Sequence, residues 1–323
     1  MKHFTSVADV PDVPTLIAAA AAAKANPYQD ENLGRHKTLG LFFFNASLRT
    51  RLSTQKAAEN LGMKVMVVNL NQEGWALEFQ DGVVMDGNKP EHIREAAAVI
   101  GQYCDIIGVR SFPELKSREA DYAETVLNGF RQWSGKPILS LESATRHPLQ
   151  SLADALTIEE LWKQHPDYGK RQPKVVLTWA PHPRALPQCV PNSFAEWMGH
   201  PSAGLDLTIV QPEGYELADE FSSGAKVSYD QDVALEGADF VYAKNWSSYH
   251  QYGQALKLDR DWMITTAKMS ITNSGKLMHC LPTRRNVELA DEVLDGSASV
   301  VIQQAGNRVP AAQAILKQLL LAR

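Results

Sequence analysis

The sequence predicts an α/β protein of two domains, each a parallel sheet flanked by helices. Short apolar runs of strand length alternate with amphipathic runs of helix length along the whole chain. These apolar runs are continuous, which is typical of parallel strands covered by helices on both faces. The chain is 323 residues long, and a chain of this length usually divides into two domains.

The apolar and amphipathic runs place the individual elements. The predicted strands are Leu39–Phe44, Val65–Leu70, Ile106–Val109, Ile138–Leu141, Val175–Trp179, Leu207–Val210, Phe240–Tyr242, Leu277–Cys280 and Val300–Gln303. The predicted helices are 50–62, 91–103, 119–133, 149–164 and Pro310–Leu320. We place the boundary near residue 145, so that residues 1–145 and the C-terminal helix 309–323 form one domain and residues 146–308 form the other.

The composition is that of an ordinary globular protein. A net charge of -5 argues against a general nucleic-acid surface. The three cysteines are odd in number and lack C-x-x-C spacing, which fits a reducing compartment. The apolar run Leu16–Ala23 is too short to span a bilayer, and the N-terminus lacks a signal-peptide core. We therefore expect a cytoplasmic protein that binds neither nucleic acid nor membrane.

The run Ser47-Leu48-Arg49-Thr50-Arg51 lies where a predicted strand passes into a predicted helix. The first N–H groups of a helix have no internal partner, and the helix dipole places partial positive charge there. Hydroxyl and guanidinium donors at the same point favour a site for a phosphate or a similar dianion.

Further polar clusters follow other predicted strands, at the edge where open α/β folds bind ligands. They are Gly108-Val109-Arg110, His147-Pro148-Leu149-Gln150, His279-Cys280-Leu281-Pro282 with Arg284-Arg285-Asn286, and Gly306-Asn307-Arg308. Singly, each has an ordinary explanation, since an arginine after a strand is usually solvated and a cysteine in a strand is usually buried and inert. Together they predict one site between the two domains.

The side chains of these clusters suit transfer of an acyl group from an acyl phosphate. One phosphate could be surrounded by Arg49, Arg110, Arg308, Ser47 and Thr50. His147 and Gln150 add neutral donors for a carbonyl oxygen, which would stabilise the tetrahedral oxyanion. The chain lacks the dinucleotide, P-loop and H-E-x-x-H motifs, so a dehydrogenase, a P-loop kinase and a zinc hydrolase are disfavoured and neither cofactor nor metal is expected.

Four motifs, in this order and at this spacing, resemble the aspartate/ornithine transcarbamylase family. They are Ser-x-Arg-Thr-Arg, His-Pro-x-Gln, His-Cys-Leu-Pro-x-Arg-Arg and the Asn-Arg before the last helix. The resemblance implies the two-domain aspartate/ornithine transcarbamylase fold, a homotrimer with shared active sites, carbamoyl phosphate as the donor and an amine as the acceptor.

The resemblance also implies which residues bind carbamoyl phosphate. The matching positions are Ser47, Leu48, Arg49, Thr50, Arg110, His147, Pro148, Leu149, Gln150, Cys280, Leu281 and Arg308. The residues expected to take part in catalysis are Arg49, Thr50, His147, Gln150 and Cys280. We assign Trp75 to the loop that completes the neighbouring subunit's site, although an aromatic residue there could equally belong to the core.

The acceptor side resembles the N-acylornithine branch of the family. The chain lacks the Ser-Met-Gly element that grips a free α-amino group in ordinary ornithine transcarbamylases. A blocked α-nitrogen carries no charge, so it needs no carboxylate clamp. The residues assigned to the acceptor are Pro90, Glu142, His182, Lys244 and Arg284.

Pro90 bears on which acyl group the acceptor carries. The acetyl-specific branch has a glutamate there, which would repel the extra carboxylate of a succinyl group. A proline favours N-succinylornithine, converted to N-succinylcitrulline in arginine biosynthesis, although proline is also common as the first residue of a helix. N-acetylornithine, another amine, and a non-catalytic sensor of a phosphorylated metabolite remain alternatives, and Arg51 has no assigned function.

Overall fold

The computed structural model describes residues 1–256 and 259–322, which form two compact units. The first unit contains Met1–Glu114, Glu119–Leu149 and the segment from Arg308 onward. The second contains Leu115–Arg118 and Gln150–Asn307. The change of unit after Leu149 comes a few residues beyond the boundary predicted near residue 145. Residue 323, the end of the predicted C-terminal helix, lies outside the described residues.

The first unit is built on a four-stranded parallel sheet, as the sequence predicts. The strands of this unit are β1 (Thr38–Phe43), β2 (Lys64–Asn69), the short pair β3 (Leu77–Glu78) and β4 (Glu91–His92), β5 (Ile106–Arg110) and β6 (Ile138–Glu142). The spatial order in the main sheet is β2-β1-β5-β6. The helices are α1 (Val13–Ala25), α2 (Leu48–Asn60), α3 (Leu70–Glu73), α4 (Ile93–Tyr103), α5 (Arg118–Tyr122) and α6 (Thr125–Trp133).

Two longer helices lie where the chain passes from one unit to the other. Helix α7 (Pro148–Trp162) begins in the first unit and continues into the second. The last helix, α14 (Arg308–Leu321), belongs to the first unit, where the buried Asn60 side chain of α2 donates to Gln313 Oε1 at 3.0 Å. The first unit is therefore completed by the end of the chain.

The second unit contains a five-stranded parallel sheet with the spatial order β11-β10-β7-β8-β9. These strands are β7 (Lys174–Trp179), β8 (Asp206–Val210), β9 (Lys226–Ser228), β10 (Phe240–Lys244) and β11 (Lys276–Met278). The remaining helices are α8 (Cys189–Met198), α9 (Asp219–Ser222), α10 (Gln231–Leu235), α11 (Thr266–Ser270), α12 (Asp291–Leu294) and α13 (Val301–Gly306). None of the helices in the described ranges is long and apolar enough to cross a membrane.

Two of the differences between the predicted and the observed elements bear on the functional site. The predicted strand Val300–Gln303 is wrong, because the chain makes only one bridge, from Ser299 to Leu277, and then turns into α13. The predicted helix 119–133 is interrupted at Glu124, which has a left-handed backbone with φ 49°.

Candidate functional site

The N-terminus of α2 offers unused hydrogen-bond donors. Ser47 stands at the N-cap position, but its side chain makes no capping hydrogen bond. Arg49 is half-buried and has no hydrogen-bond or ion-pair partner among residues 1–256 and 259–322. Leu48 is exposed beside it. A free helix N-terminus with an unpaired guanidinium is a favourable position for an anion.

A buried polar cluster lies in the same unit, around the Thr50 hydroxyl. Arg110 and Glu142 end the neighbouring strands β5 and β6, where they are register partners and form an ion pair. Arg110 Nη1 lies 3.5 Å from Thr50 Oγ1, and Arg308 Nη2 donates to the same oxygen. His147 Nε2 lies 3.4 Å from Arg308 Nη2 and 3.5 Å from Glu142 Oε2. The structure therefore brings together four of the predicted donor residues and Glu142, which was predicted to bind the acceptor.

This cluster carries more positive than negative charge. Of the five side chains named in this cluster, two are the guanidinium groups of Arg110 and Arg308 and one is the carboxylate of Glu142, and all three are buried. Buried charges are stable only when they are paired and hydrogen-bonded, so the cluster favours an additional anion. The Arg110 guanidinium also stacks 4.3 Å from the Phe112 ring, which restricts its position.

His147 is neutral in this cluster. Burial, assisted by the Arg308 and Arg110 charges and opposed by Glu142, lowers the pKa of His147 from 6.5 to about 3. Its Nδ1 has no hydrogen-bond partner in the part of the chain that the structure describes. A neutral imidazole can offer one N–H to a carbonyl oxygen without adding charge.

The depressed pKa of His147 predicts a loss of stability on acidification. The unfolded chain binds a proton on this histidine below about pH 6.5, whereas the folded chain binds it only near pH 3. The free energy of unfolding should therefore fall as the pH is lowered across that window, by at most ~1.4 kcal/mol per pH unit. Urea unfolding across the upper part of the window measures this slope. The slope should be smaller in His147→Gln and unchanged in the exposed-site control His250→Gln; equal slopes in all three proteins would contradict this origin.

Glu124 holds the turn that carries His147, and the sequence reasoning missed it. Its carboxylate accepts hydrogen bonds from Ser143 Oγ at 2.6 Å, from Thr145 N at 2.8 Å and from Thr145 Oγ1 at 2.6 Å. These contacts explain why the helix predicted over 119–133 is interrupted at this residue. A lone glutamate within an amphipathic run gives no sequence signal for such a function.

In the second unit, the orientation of Gln150 differs from the one that sequence reasoning implied. Gln150 Nε2 donates to Asp154 Oδ1 at 2.8 Å, since a carboxylate can only accept. The buried Oε1 of Gln150 is left without a partner among the described residues. The Gln150 oxygen can therefore accept a hydrogen bond from a ligand, whereas the sequence analysis expected the side chain to donate one to a carbonyl oxygen.

The turn Cys280–Leu281 follows β11 and is held by His279. His279 Nδ1 accepts from Leu281 N at 2.9 Å, which helps keep Leu281 in the left-handed region at φ 54°. That conformation is uncommon for a leucine and is found mostly where surrounding contacts enforce it, often at functional sites. Because its ring is engaged in this way, His279 is not placed to activate the thiol of Cys280 as a nucleophile.

A buried glutamate that the sequence analysis missed, Glu288, supports this turn. Its Oε1 lies 3.5 Å from His279 Nε2, and its Oε2 accepts from Arg284 N at 2.7 Å. Burial alone would raise the pKa of Glu288, but the His279 hydrogen bond and the nearby Lys244 charge outweigh it and lower the pKa to about 2. Glu288 is therefore ionised and fixes both ends of the turn.

Three of the predicted acceptor residues lie in the second unit near Glu288. Lys244 ends β10, is buried, and donates to Asn245 O at 3.1 Å. Arg284 Nε donates to His182 Nε2 at 2.9 Å, so His182 orients the guanidinium of Arg284. Burial lowers the pKa of His182, which favours the neutral ring that this hydrogen bond requires.

The other two predicted residues, Trp75 and Pro90, lie on exposed segments of the first unit. Trp75 is 70% exposed, which excludes the alternative of a core aromatic within this chain. Pro90 directly precedes β4, and every residue from 81 to 90 is exposed. The structure therefore does not join these two residues to the buried cluster around Thr50.

The chain has two α/β units with parallel sheets, and one unit has an arginine-lined helix N-terminus. This combination fits a two-domain transferase that uses a phosphorylated donor. The carbamoyl-P binding domain model of the aspartate/ornithine carbamoyltransferases matches residues 2–160, and the Asp/Orn binding domain model matches residues 191–319. The chain belongs to the aspartate/ornithine carbamoyltransferase family.

Individual relatives and structures are similar over the full length. An N-succinylornithine carbamoyltransferase of Bacteroides thetaiotaomicron is 54% identical over 99% of both chains. An N-acetylornithine carbamoyltransferase of Xylella fastidiosa is 36% identical over 99% of this chain and 98% of its own. A crystal structure of a glutamate-to-proline variant of N-acetyl-L-ornithine transcarbamylase, complexed with carbamyl phosphate and N-succinyl-L-norvaline, is 36% identical with a TM-score of 0.92, covering 99% of this chain and 100% of its own.

Proposed function

We propose that this chain transfers the carbamoyl group of carbamoyl phosphate to the δ-amine of N-succinylornithine, giving N-succinylcitrulline and phosphate in arginine biosynthesis. The observation that carries the donor is the buried cluster around Thr50, with its excess of positive charge. The acceptor is supported by the 54% identity to an N-succinylornithine carbamoyltransferase. A cytoplasmic location is part of this proposal.

The phosphate of the donor is bound by the free N–H groups of α2 and by the guanidinium groups of Arg49, Arg110 and Arg308. Arg49 has no hydrogen-bond or ion-pair partner among the residues that the structure describes, so its charge is available to the ligand. Arg110 is paired with Glu142, and a phosphate dianion would compete for the same guanidinium. Ser47 and Leu48 line the helix N-terminus at this site.

The carbamoyl group has a carbonyl oxygen that accepts hydrogen bonds and an NH₂ group that donates them. The surrounding residues therefore include donors for the oxygen and an acceptor for the NH₂ group. Thr50 and neutral His147 donate to the carbonyl oxygen and stabilise the oxyanion that develops on it. Gln150 Oε1, which lacks a partner, accepts from the carbamoyl amide. Pro148 and Leu149 lie between His147 and Gln150 at the start of α7. We also assign Cys280 and Leu281 to the carbamoyl group.

The neutral δ-amine attacks the carbamoyl carbon, a C–N bond forms, and the bond from that carbon to the phosphate oxygen breaks. His147 is a poor base because its pKa is about 3. The departing phosphate therefore takes the proton from the amine. Holding both reactants in line contributes ~7–11 kcal/mol toward lowering the barrier.

The carboxylates of the acceptor are bound by Lys244 and Arg284, with His182 orienting the guanidinium of Arg284. Glu142, once released from Arg110, can accept an N–H of the acceptor. Pro90 leaves room for the succinyl carboxylate. The glutamate-to-proline variant of N-acetyl-L-ornithine transcarbamylase supports this point, because it is complexed with N-succinyl-L-norvaline.

A single assay tests the proposal. The protein is incubated with carbamoyl phosphate and, in parallel, with ornithine, N-acetylornithine or N-succinylornithine, and the ureido product is measured. We expect product mainly from N-succinylornithine. A preference for N-acetylornithine would overturn the acceptor, and the absence of product from all three would favour a non-catalytic sensor or another amine.

The active unit in this proposal is a homotrimer in which subunits share sites. The exposed indole of Trp75 supports this, because a side chain of that size and apolarity on a surface often marks a contact with another protein. In a trimer, Trp75 would cover the donor site of the neighbouring copy.

Subunit mixing tests the shared site. Trp75→Ala and Arg49→Ala chains should each be nearly inactive alone. Trimers formed after mixing should regain activity at about a quarter of their sites, where intact Arg49 of one chain meets intact Trp75 of the next. Native mass spectrometry verifies mixing, and chains refolded without a partner variant serve as the control. Mixed trimers without recovery would show that each site is built from one chain.

A further inference from the structure

A buried chain of hydrogen bonds joins Gln150 to the turn Cys280–Leu281. Gln150 Nε2 and Gln304 Nε2 donate to the same oxygen, Asp154 Oδ1, at 2.8 and 2.7 Å. Gln304 Oε1 accepts from His279 N at 2.9 Å, and His279 in turn accepts from Leu281 N. Asp154, Gln304 and His279 are fully buried, and all of these residues belong to the second unit.

The carboxylate of Asp154 sets the orientation of both glutamine amides in this chain. An amide side chain can turn either its NH₂ or its oxygen toward a neighbour, whereas an ionised carboxylate can only accept. Both glutamines therefore turn their NH₂ groups toward Asp154 and their oxygens away from it. For Gln304 the oxygen meets His279 N, and for Gln150 the oxygen is left without a protein partner.

We propose that Asp154 is a positioning residue that makes this protein selective for a carbamoyl over an acetyl donor. It holds Gln150 with its oxygen ready to accept from the carbamoyl amide, and through Gln304 it fixes the turn that carries Cys280. Asp154 itself touches no reacting atom. The inference rests on the proposed function, because it requires that Gln150 contacts the carbamoyl group.

Acetyl phosphate separates this function from a purely structural one. It carries the same phosphate as carbamoyl phosphate, but a methyl group replaces the amide. Bound acetyl phosphate leaves the buried Gln150 oxygen unpaired, and an unpaired buried acceptor weakens binding. Inorganic phosphate has neither group and reports on the arginine cluster alone.

The decisive variant is Asp154→Asn, which keeps the shape and removes the charge. An asparagine can turn either its oxygen or its NH₂ toward the two glutamines, so it no longer fixes which end of the Gln150 amide faces it. We expect kcat/KM for carbamoyl phosphate to fall by about 10- to 100-fold. Inhibition constants for acetyl phosphate and inorganic phosphate should stay unchanged, so selectivity for the carbamoyl donor falls.

Glu160→Gln is the matched control. Glu160 also lies on α7 and accepts from two side-chain amides, those of Gln303 at 2.9 Å and Asn307 at 3.0 Å, but no hydrogen bond links it to Gln150. Its substitution should leave donor selectivity unchanged. Asp154→Ser, which also removes the carboxylate that orients Gln150, should reduce selectivity as Asp154→Asn does and tests the inference if Asp154→Asn does not fold.

A double-mutant cycle with Gln150→Ala completes the test. If Asp154 acts through Gln150, adding Asp154→Asn to Gln150→Ala should lower kcat/KM less than it does in the wild-type protein. Equal losses for all three phosphates, or additive losses in the cycle, would overturn the inference. Failure of the proposed function would look different, because the wild-type protein would then form no ureido product from carbamoyl phosphate.

Discussion

Replacing Arg49 with alanine is expected to lower kcat/KM for carbamoyl phosphate by about a thousandfold or more. Arg49 stands at the uncapped N-terminus of α2 and has no partner in the described part of the chain, so its guanidinium is free to bind the phosphate. Removing it should disturb the fold little, because no hydrogen bond or ion pair among the described residues is lost. Steady-state assay of ureido product and circular dichroism together measure both effects.

Lys56→Ala is the charge-matched control for Arg49→Ala. Lys56 lies two turns further along the same helix, is exposed, and contacts Tyr28. Its loss removes one positive charge from α2 but none from the helix N-terminus, so turnover should stay close to wild type. Comparable losses in the two variants would mean that overall charge, rather than contact with phosphate, explains the effect. Near-wild-type turnover of Arg49→Ala would remove this residue from the phosphate site.

Substituting Pro90 with glutamate is expected to reverse the preference between the two acyl acceptors. A glutamate carboxylate near the succinyl carboxylate costs about 4 kcal/mol at 4 Å in a partly buried site, although exposure of the segment reduces this figure. We therefore expect the ratio of kcat/KM values for N-succinylornithine and N-acetylornithine to fall by about tenfold or more. The measurement is the ratio itself, because it cancels any change in the amount of active protein.

Pro90→Ala separates charge from backbone conformation at this position. It removes the ring and the fixed φ without adding a carboxylate, so the succinyl preference should remain. If both variants lose the preference equally, the proline acts by holding the segment before β4. A wild-type protein that already prefers N-acetylornithine would contradict the function assigned to Pro90.

The donor cluster could be predicted from the sequence because its members follow apolar strands. Arg110 comes at the end of β5, and the ends of parallel strands gather at one edge of a sheet. The linear motifs therefore identified Thr50, Arg110, His147 and Arg308, which the structure brings together. The pairing of Arg110 with Glu142 was not foreseen, because the register of β5 against β6 cannot be read from either strand alone.

The element after Ser299 shows where local sequence preference fails. Val300, Val301 and Ile302 are β-branched and favour a strand, yet they lead into α13 and Ile302 is exposed. The helix turns the buried Gln304 toward His279 and Asp154. Tertiary contacts of this kind outweigh an intrinsic preference that spans only ~1 kcal/mol.

Asp154 and Glu288 were missed for a related reason. Both act through residues distant in sequence or by orienting a glutamine side-chain amide. A linear sequence motif contains neither kind of information. A weak signal was present for Asp154, since it lies four residues after Gln150 in a helix whose neighbouring residues are buried. A charged residue on such a buried helix is almost always paired with another polar or charged group.

The position of α14 has a consequence for biosynthesis of the protein. Arg308 and Gln313 reach the first unit only after the whole second unit has been translated. During synthesis, the first sheet can form early, but its anion site lacks one guanidinium until α14 leaves the ribosome. We therefore expect nascent chains truncated before residue 308 to bind phosphate more weakly, so that full affinity for the donor arises only after α14 has been made.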